Sequence, residues 1–251
     1  MGARRALKRA PRVTRVARVT RIDGVDVLRG LAIVAMIAYH FAFDLRYFGV
    51  THTDFEHARS WLGARSTIVT AFLALVGVSL SLAGTRDVAF ARYLRRTARV
   101  AGCALLVSAG SYALFPQTFI YFGVLHCIAL VSLVAWPLRT RPLVATCAGI
   151  AVVAAGLALA NAHFDPRALS WIGFMTHKPA TEDYVPLFPW AGVVLIGIGA
   201  GHWLHARAYA PIAVLADAPR WLSLLGRHSL FVYMVHQPLM LALLWLVVAR
   251  H

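Results

Sequence analysis

Arg29 and His40 enclose an apolar run, GLAIVAMIAY, and Asp44 follows His40 by one helical turn. An α-helix turns about 100° and rises about 1.5 Å per residue, so Arg29 and His40 lie within about 20° of one face and about 16 Å apart along the axis. An imidazole can transfer protons and a guanidinium can bind anions. The three side chains therefore form one stripe with the groups for proton-transfer and anion-binding chemistry.

Such a stripe has to face the interior of a helix bundle if the run crosses a membrane. An ionisable side chain exposed to lipid costs at least about 2.5 kcal/mol at the bilayer centre. Taken singly, Arg29 is also compatible with a snorkelling arginine at the membrane surface, and His40 with a hydrogen-bonded core histidine. Their shared face favours a functional stripe over two unrelated structural residues.

The composition is that of a membrane protein. Of the 251 residues, 60% are hydrophobic and 14% are charged, and the mean hydropathy is +0.68, which excludes an ordinary soluble domain. The formal net charge of +15 comes from basic residues in blocks between apolar runs, as in cytoplasmic loops, so we expect a lipid bilayer as partner and no nucleic acid. The three cysteines lie inside apolar runs and indicate neither disulfides nor a zinc site.

Uncharged runs and helix breakers predict an all-α bundle of about seven transmembrane spans. The third and fourth spans form a hairpin around FPQT at 115–118. The predicted spans are 27–45, 66–85, 98–114, 118–138, 142–161, 186–206 and 229–249.

The distribution of Lys and Arg predicts a cytoplasmic N-terminus. With that orientation, 19 of the 25 basic residues lie on the cytoplasmic side and six on the other side. This bias follows the positive-inside rule. We expect residues 1–22 to form a basic cytoplasmic arm and residues 23–251 to form one transmembrane domain.

Polar groups in two later spans are expected at a similar depth to His40. His126 lies in YFGVLHCIAL, about two turns inside the fourth span. The seventh span carries four polar side chains on RHSLFVYMVHQPL, namely Ser229, Tyr233, His236 and Gln237. His40, His126 and His236 are therefore predicted to meet in the bundle. Ligand spacing for a metal is missing from these spans, so no metal site is expected.

Four blocks of the sequence together resemble the bacterial relatives of the heparan-alpha-glucosaminide N-acetyltransferase catalytic domain. They are RIDGVDVLRGLAIVAMIAYHFAFDL, YALFPQTFIYFGVLHCIAL, EDYVPLFPWAGVVLIGIGAG and LGRHSLFVYMVHQPLML. The spacing of Arg29 and His40 also resembles the wider superfamily of transmembrane acyltransferases that modify surface polysaccharides. The blocks extend over most of the chain, from residue 21 to residue 241.

The resemblance implies an integral membrane enzyme, expected in the bacterial cytoplasmic membrane, that uses acetyl-CoA as a substrate and holds no permanent cofactor. It moves an acetyl group from acetyl-CoA on the cytoplasmic side to a glycan or amino sugar on the other face. The catalytic histidine of the animal enzymes corresponds to His57 in DFEHARSWLG, whereas the polysaccharide acyltransferases indicate His40. We favour His40, because a helix interior protects and orients a general base better than a loop does.

This reading assigns a role to each candidate residue. His40, oriented by Asp44, is the base or briefly carries the acetyl group, and His126 donates to the thioester carbonyl oxygen. The predicted site for the phosphates of CoA comprises Arg29, Arg95, Arg96 and Arg99. The predicted acceptor site comprises Asp183, Tyr184, Trp190, Tyr233, His236 and Gln237.

Two other functions fit the same pattern. A stripe of His, Arg and Asp inside a membrane can also conduct protons or bind a transported solute. Alternatively, the polar groups only hold the helices together in a non-catalytic scaffold. Neither alternative predicts that the protein consumes acetyl-CoA.

Overall fold

The chain folds into α-helices joined by short loops. The structure, a computed structural model, describes residues 13–55 and 57–248, and the side chains from residue 23 onward. This part of the chain contains nine α-helices and no β-strand, which confirms the all-α prediction. The helices are α1 (Val13–Tyr47), α2 (Arg59–Thr85), α3 (Phe90–Leu114), α4 (Val124–Val134), α5 (Pro142–Ala158), α6 (Arg167–Ser170), α7 (Leu187–Ala206), α8 (Arg220–Arg227) and α9 (Ser229–Val248).

Seven of these helices overlap the predicted spans, namely α1 to α5, α7 and α9. Five of the seven are long and apolar enough to cross a membrane, and α4 and α5 are shorter apolar helices. Residues 1–12 of the predicted basic arm and residue 249 of the last predicted span lie outside the described residues. The protein therefore has the helices of an integral membrane protein.

The fourth predicted span is helical over only part of its length. Helix α4 begins at Val124, because the chain before it is held in a non-helical path by two serines of α3. Ser108 Oγ donates to the carbonyl of Ile120 at 2.6 Å, and the amide of Ile120 donates to Ser111 Oγ at 3.0 Å. Side chains thus satisfy backbone groups that lipid cannot satisfy.

Helix α7 packs between α2 and α5 through contacts at glycine. A Cβ atom on Gly77 of α2 would lie 2.0 Å from the carbonyl oxygen of Val194 and 2.8 Å from Gly197. Gly149 of α5 and Gly192 of α7 also approach each other closely, because a Cβ on either one would lie 2.7 or 2.5 Å from the carbonyl oxygen of the other. Small residues allow helix backbones to approach closely in membrane proteins.

The Gly77→Ala variant is expected to lose at least about 2 kcal/mol of stability, because the new methyl group meets backbone atoms that cannot rotate away. The matched control is Gly102→Ala in α3, where nothing lies within 4 Å of the added atom. Thermal unfolding in detergent measures both variants. Equal stability of the two proteins would contradict the glycine-mediated packing of α2 against α7.

Helix α1 contacts α2, α8, α9 and the 3₁₀ helix Ala210–Asp217. At the α8 contact, a Cβ on Gly30 would lie 2.1 Å from the carbonyl oxygen of Leu222, and one on Gly226 would lie 1.8 Å from that of Asp26. Helix α9 lies against the other end of α1, around His40 and Asp44. Helix α1 therefore links the two ends of the candidate site.

The outward surfaces of the long helices are apolar. Large side chains that are more than half exposed include Leu105 on α3, Leu157 on α5 and Trp245 on α9. A contiguous apolar surface of this kind is unfavourable in water and is covered by lipid tails in a bilayer. In contrast, four polar side chains of α1 and α9 contact each other in the space between these two helices, namely His40, Asp44, His236 and Gln237.

Candidate active site

Two histidines from opposite ends of the chain form a pair between α1 and α9. The ring centroids of His40 and His236 are 5.0 Å apart, and the rings meet edge to face. His40 Nδ1 lies 2.9 Å from the carbonyl oxygen of Met36, and His236 Nδ1 lies 2.7 Å from that of Tyr233. A carbonyl oxygen only accepts, so in each ring Nδ1 carries the hydrogen and Nε2 of the neutral ring keeps a lone pair. Both members of this histidine pair have the tautomer that a general base requires.

Asp44, one turn beyond His40, and Gln237, the residue after His236, form a second contact between α1 and α9. Gln237 Nε2 donates to Asp44 Oδ1 at 2.6 Å, and Asp44 is only 1% exposed. The other oxygen of each side chain is buried and has no hydrogen-bond partner among the described residues. The predicted orientation of His40 by Asp44 is not seen as a hydrogen bond, because the carbonyl of Met36 holds Nδ1 and Asp44 interacts with His40 through its charge. Asp44 is thus a buried carboxyl group beside the histidine pair.

Asp183 connects α9 to the beginning of α4. Its Oδ2 accepts the backbone N–H of Val124 at 2.9 Å, and its carboxylate accepts a hydrogen bond from the hydroxyl of Tyr233. A carboxylate at the first turn of a helix also interacts favourably with the helix dipole. Because Tyr233 in turn holds His236 through its carbonyl, Asp183 and the histidine pair belong to one polar network.

His126 uses both ring nitrogens within the protein. The amide of Gly123 donates to Nδ1 at 3.2 Å, so Nε2 carries the hydrogen and donates to Ser108 Oγ at 3.1 Å. Ser108 can accept this bond because its own hydrogen goes to Ile120. His126 interacts with Asp183 through its charge, and its donation to a thioester carbonyl stays a prediction.

The other two residues of the predicted acceptor site lie inside the fold. Tyr184 is 6% exposed, and its hydroxyl donates to the carbonyl of Ser170 at 2.6 Å. Burial raises the pKa of this hydroxyl above its ordinary value. Trp190 packs against the main apolar core. Tyr184 thus supports the loop before α7 from within, and the contact of either side chain with an acceptor stays a prediction.

The loop between α5 and α7 is ordered by hydrogen bonds. The backbone N–H and the hydroxyl of Thr176 donate to the carboxylate of Asp165 at 2.7 and 2.8 Å. These bonds hold the pKa of Asp165 below its ordinary value. The amide of Asn161 donates to the carbonyl of Phe174 at 2.8 Å and draws the two arms of the loop together. This segment lies at the same end of the bundle as Asp183.

His57, the second candidate base, lies in the loop between α1 and α2. Its side chain is 81% exposed and contacts Asp54, with Nδ1 at 3.2 Å from Oδ1. The backbone N–H of His57 donates to the same carboxylate oxygen at 3.0 Å. In contrast to His40, this imidazole is exposed on a loop and does not lie between helices.

Arg29 lies at the other end of α1 in a cluster of charges. Its guanidinium donates to Asp26 at 2.7 Å and to Ser79 of α2 at 3.0 Å, and its side chain is 18% exposed. Arg227 of α8 binds both Asp26, at 3.3 Å, and Asp23, at 2.5 Å. The cluster of Asp23, Asp26, Arg29 and Arg227 is charge-balanced and fastens α8 and α2 to α1.

The three arginines predicted to accompany Arg29 are on the exposed surface of α3. The charge of Arg96 interacts with that of Arg29, and Arg99 Nε donates to the carbonyl of Arg95 at 3.5 Å. These side chains provide positive charge that the four-residue cluster does not neutralise. Within the described residues, no group of three or more His, Cys, Asp or Glu side chains is placed to hold a metal ion.

The family model for the catalytic region of heparan-alpha-glucosaminide N-acetyltransferase matches residues 21–238. The chain belongs to this family. No curated protein and no solved structure matches the chain at the significance required. Membership in the heparan-alpha-glucosaminide N-acetyltransferase catalytic family, together with the apolar helices, makes the protein a membrane protein of acetyltransferase type.

The match to this acetyltransferase family includes both ends of the candidate site. It begins before the Arg29 cluster and ends one residue after Gln237. The histidine pair therefore joins the first and last parts of the matched region. This contact joins residues about 200 positions apart, so it depends on the packing of the helices and cannot be read from the local sequence.

Sequence reasoning did not find three residues that complete these contacts, namely Asp26, Ser79 and Arg227. Asp26 and Arg29 are separated by three positions, a spacing that places both on one helix face and could have predicted their ion pair. Ser79 and Arg227 lie in other helices, where the sequence gives no indication of their partner. Their roles depend on how α2 and α8 pack against α1.

Proposed function

We propose that the protein is a membrane-embedded acetyltransferase that moves the acetyl group of acetyl-CoA to a sugar amine or hydroxyl on the opposite face of the membrane. The observation that carries the proposal is the histidine pair, placed between α1 and α9 in a chain of the acetyltransferase family. A bilayer and a glycan are the partners, and the bacterial cytoplasmic membrane is the proposed location.

The chemistry requires one proton acceptor near the reacting atoms. The acceptor nitrogen or oxygen attacks the thioester carbonyl carbon, a C–N or C–O bond forms, and the C–S bond breaks. His40 Nε2 takes the proton of the acceptor, and the sulfur leaves with the electron pair and is protonated to the free thiol. The carbonyl of Met36 supports this role because it fixes the proton on Nδ1 and leaves Nε2 as the base.

The donor is proposed to enter from the Arg29 end of α1. Arg29, Arg95, Arg96 and Arg99 bind the CoA phosphates through charge-assisted hydrogen bonds. The eleven-residue separation of Arg29 and His40 corresponds to about 16 Å of helix, which the extended pantetheine arm can span. Because the excess of basic residues predicts that this end is cytoplasmic, the donor would come from the cytoplasm.

The acceptor is proposed to enter from the other end, beside Asp183 and the ordered loop between α5 and α7. Asp183 already accepts hydrogen bonds from Val124 and Tyr233, so it fixes the start of α4 relative to α9 beside this entrance. Asp44 and Gln237 offer two further buried oxygen acceptors for the N–H or O–H groups of a sugar. The proposal covers both an amide and an ester as product.

Purified protein in detergent, incubated with acetyl-CoA labelled in the acetyl group, tests the proposal. We expect free CoA thiol to appear and the label to pass to glucosamine supplied as acceptor. A transporter or a scaffold predicts neither product. Intact labelled acetyl-CoA, in a preparation whose unfolding transition shows that it is folded, would contradict the proposed function.

A further inference from the structure

We propose that His236 is the proton-accepting partner of His40, so that the histidine pair can remove two protons from an amine that arrives protonated. The inference rests on the proposed function, because it concerns the same acetyl transfer. His40 contacts the acceptor, and His236 acts through His40 as a positioning residue that holds the first proton. The sequence alone predicted that His236 lies near His40 and lines the acceptor site, without giving it a role in proton transfer.

The two rings differ in burial in the way that this division of roles requires. His40 is partly exposed, whereas His236 is buried, with 8% of its surface exposed. The rings meet edge to face with their centroids 5.0 Å apart, so His236 is the imidazole next to His40 to which a proton can be passed. His40 can therefore contact a substrate, and His236 can receive the proton that His40 removes.

Only one atom of His236 is available for this proton. Nδ1 already donates to the carbonyl of Tyr233 at 2.7 Å, so a second proton must bind at Nε2. Nε2 is buried and has no hydrogen-bond partner among the described residues. Protein structures rarely leave a buried acceptor atom unpaired, and each such atom requires an explanation. Transient protonation during turnover is the explanation that we infer.

The proton balance of the reaction explains why a second base is useful. A sugar amine is largely protonated at neutral pH, and an ammonium nitrogen has no lone pair with which to attack. His40 removes one proton, passes it to His236, and is then free to take the second proton as the C–N bond forms. One of the two protons goes to the sulfur when the C–S bond breaks, and the other leaves to water with the products.

A matched pair of amines separates this role from a structural one. Glucosamine is mostly protonated at pH 7, and methoxyamine is mostly unprotonated and needs only one base. The informative variant is His236→Asn, because the asparagine amide can still donate to the carbonyl of Tyr233 but has no atom at the Nε2 position. The control is His228→Asn, which changes an exposed histidine just before α9.

For His236→Asn we expect kcat with glucosamine to fall by about tenfold or more, because one proton acceptor is lost. With methoxyamine, kcat should fall by less than about threefold. The KM for acetyl-CoA should stay within about twofold of its original value. The control should match the original protein with both amines. Equal losses with the two amines, or no loss with glucosamine, would overturn the proposal. If the original protein acetylates neither amine, the protonated amine that this inference requires is not a substrate and the inference is overturned, while release of free CoA thiol tests the proposed function separately.

Chemical rescue gives an independent result if methoxyamine proves to be no substrate. His236→Ala removes the ring and leaves room for imidazole beside His40. Added imidazole is expected to restore glucosamine turnover in this variant at least about threefold and to leave His228→Asn unchanged. A failure of imidazole to raise turnover in a folded His236→Ala protein would count against a proton-accepting role.

Discussion

Replacing His40 with alanine is expected to lower kcat for acetyl transfer by at least about 100-fold, because general base catalysis contributes about 10²–10⁴-fold. Removal of the ring also leaves the carbonyl of Met36 without its side-chain donor, but helix α1 keeps its own backbone hydrogen bonds. Binding of acetyl-CoA should persist, since the phosphates are proposed to bind at the other end of the helix. Steady-state rates and equilibrium binding of acetyl-CoA measure the two effects separately.

The control for His40 is the rival base in the loop. His57→Ala removes a side chain that is 81% exposed and that contacts Asp54. We expect this variant to keep its activity within about threefold. If His57→Ala loses activity while His40→Ala turns over normally, the base is the loop histidine and the role of the histidine pair is wrong.

Replacing Arg29 with methionine is expected to raise the KM for acetyl-CoA by about tenfold or more, because a charge-assisted contact with a phosphate contributes about 1.5–3 kcal/mol. Methionine keeps much of the length and apolar volume of the arginine stem. The value of kcat should change less than KM, since Arg29 is about 16 Å along the helix from His40. Initial rates over a range of acetyl-CoA concentrations measure both constants.

The ion pair with Asp26 provides the control for Arg29. If Arg29 serves only to join α1 to α2 and α8, then Asp26→Asn, which weakens the same contacts, should raise KM as much. If Arg29 binds phosphate, Asp26→Asn keeps the guanidinium and removes a competing carboxylate, so KM should stay level or fall. A parallel rise of KM in both variants would remove Arg29 from the donor site.

Much of the fold could be predicted because a membrane imposes a simple pattern on the sequence. Apolar runs between charged breaks predicted the helices, and the eleven-residue spacing predicted that Arg29 and His40 share a face. In the structure, Arg29 contacts α2 and His40 contacts α9, so both point toward other helices. Periodicity within one helix is enough to predict that a polar stripe faces inward.

The partners of this stripe were harder to predict, because they depend on contacts between distant helices. His40, His126 and His236 were predicted to meet, and the structure brings together His40 and His236, while His126 pairs with Ser108. The shortened start of α4 depends on serine side chains of α3 that replace helical hydrogen bonds. Nothing in the local sequence around 118–123 indicates these serines.

Acetyl transfer across a sealed membrane distinguishes the proposed enzyme from one that binds donor and acceptor on the same face. The protein is reconstituted in vesicles with glucosamine trapped inside, labelled acetyl-CoA is added outside, and the label on the trapped sugar is measured, with empty vesicles as the control. We predict that labelled N-acetylglucosamine accumulates inside, from the molecules whose Arg29 end faces outward. If label reaches the sugar only after detergent opens the vesicles, the donor and the acceptor do not meet across the membrane and the account is contradicted.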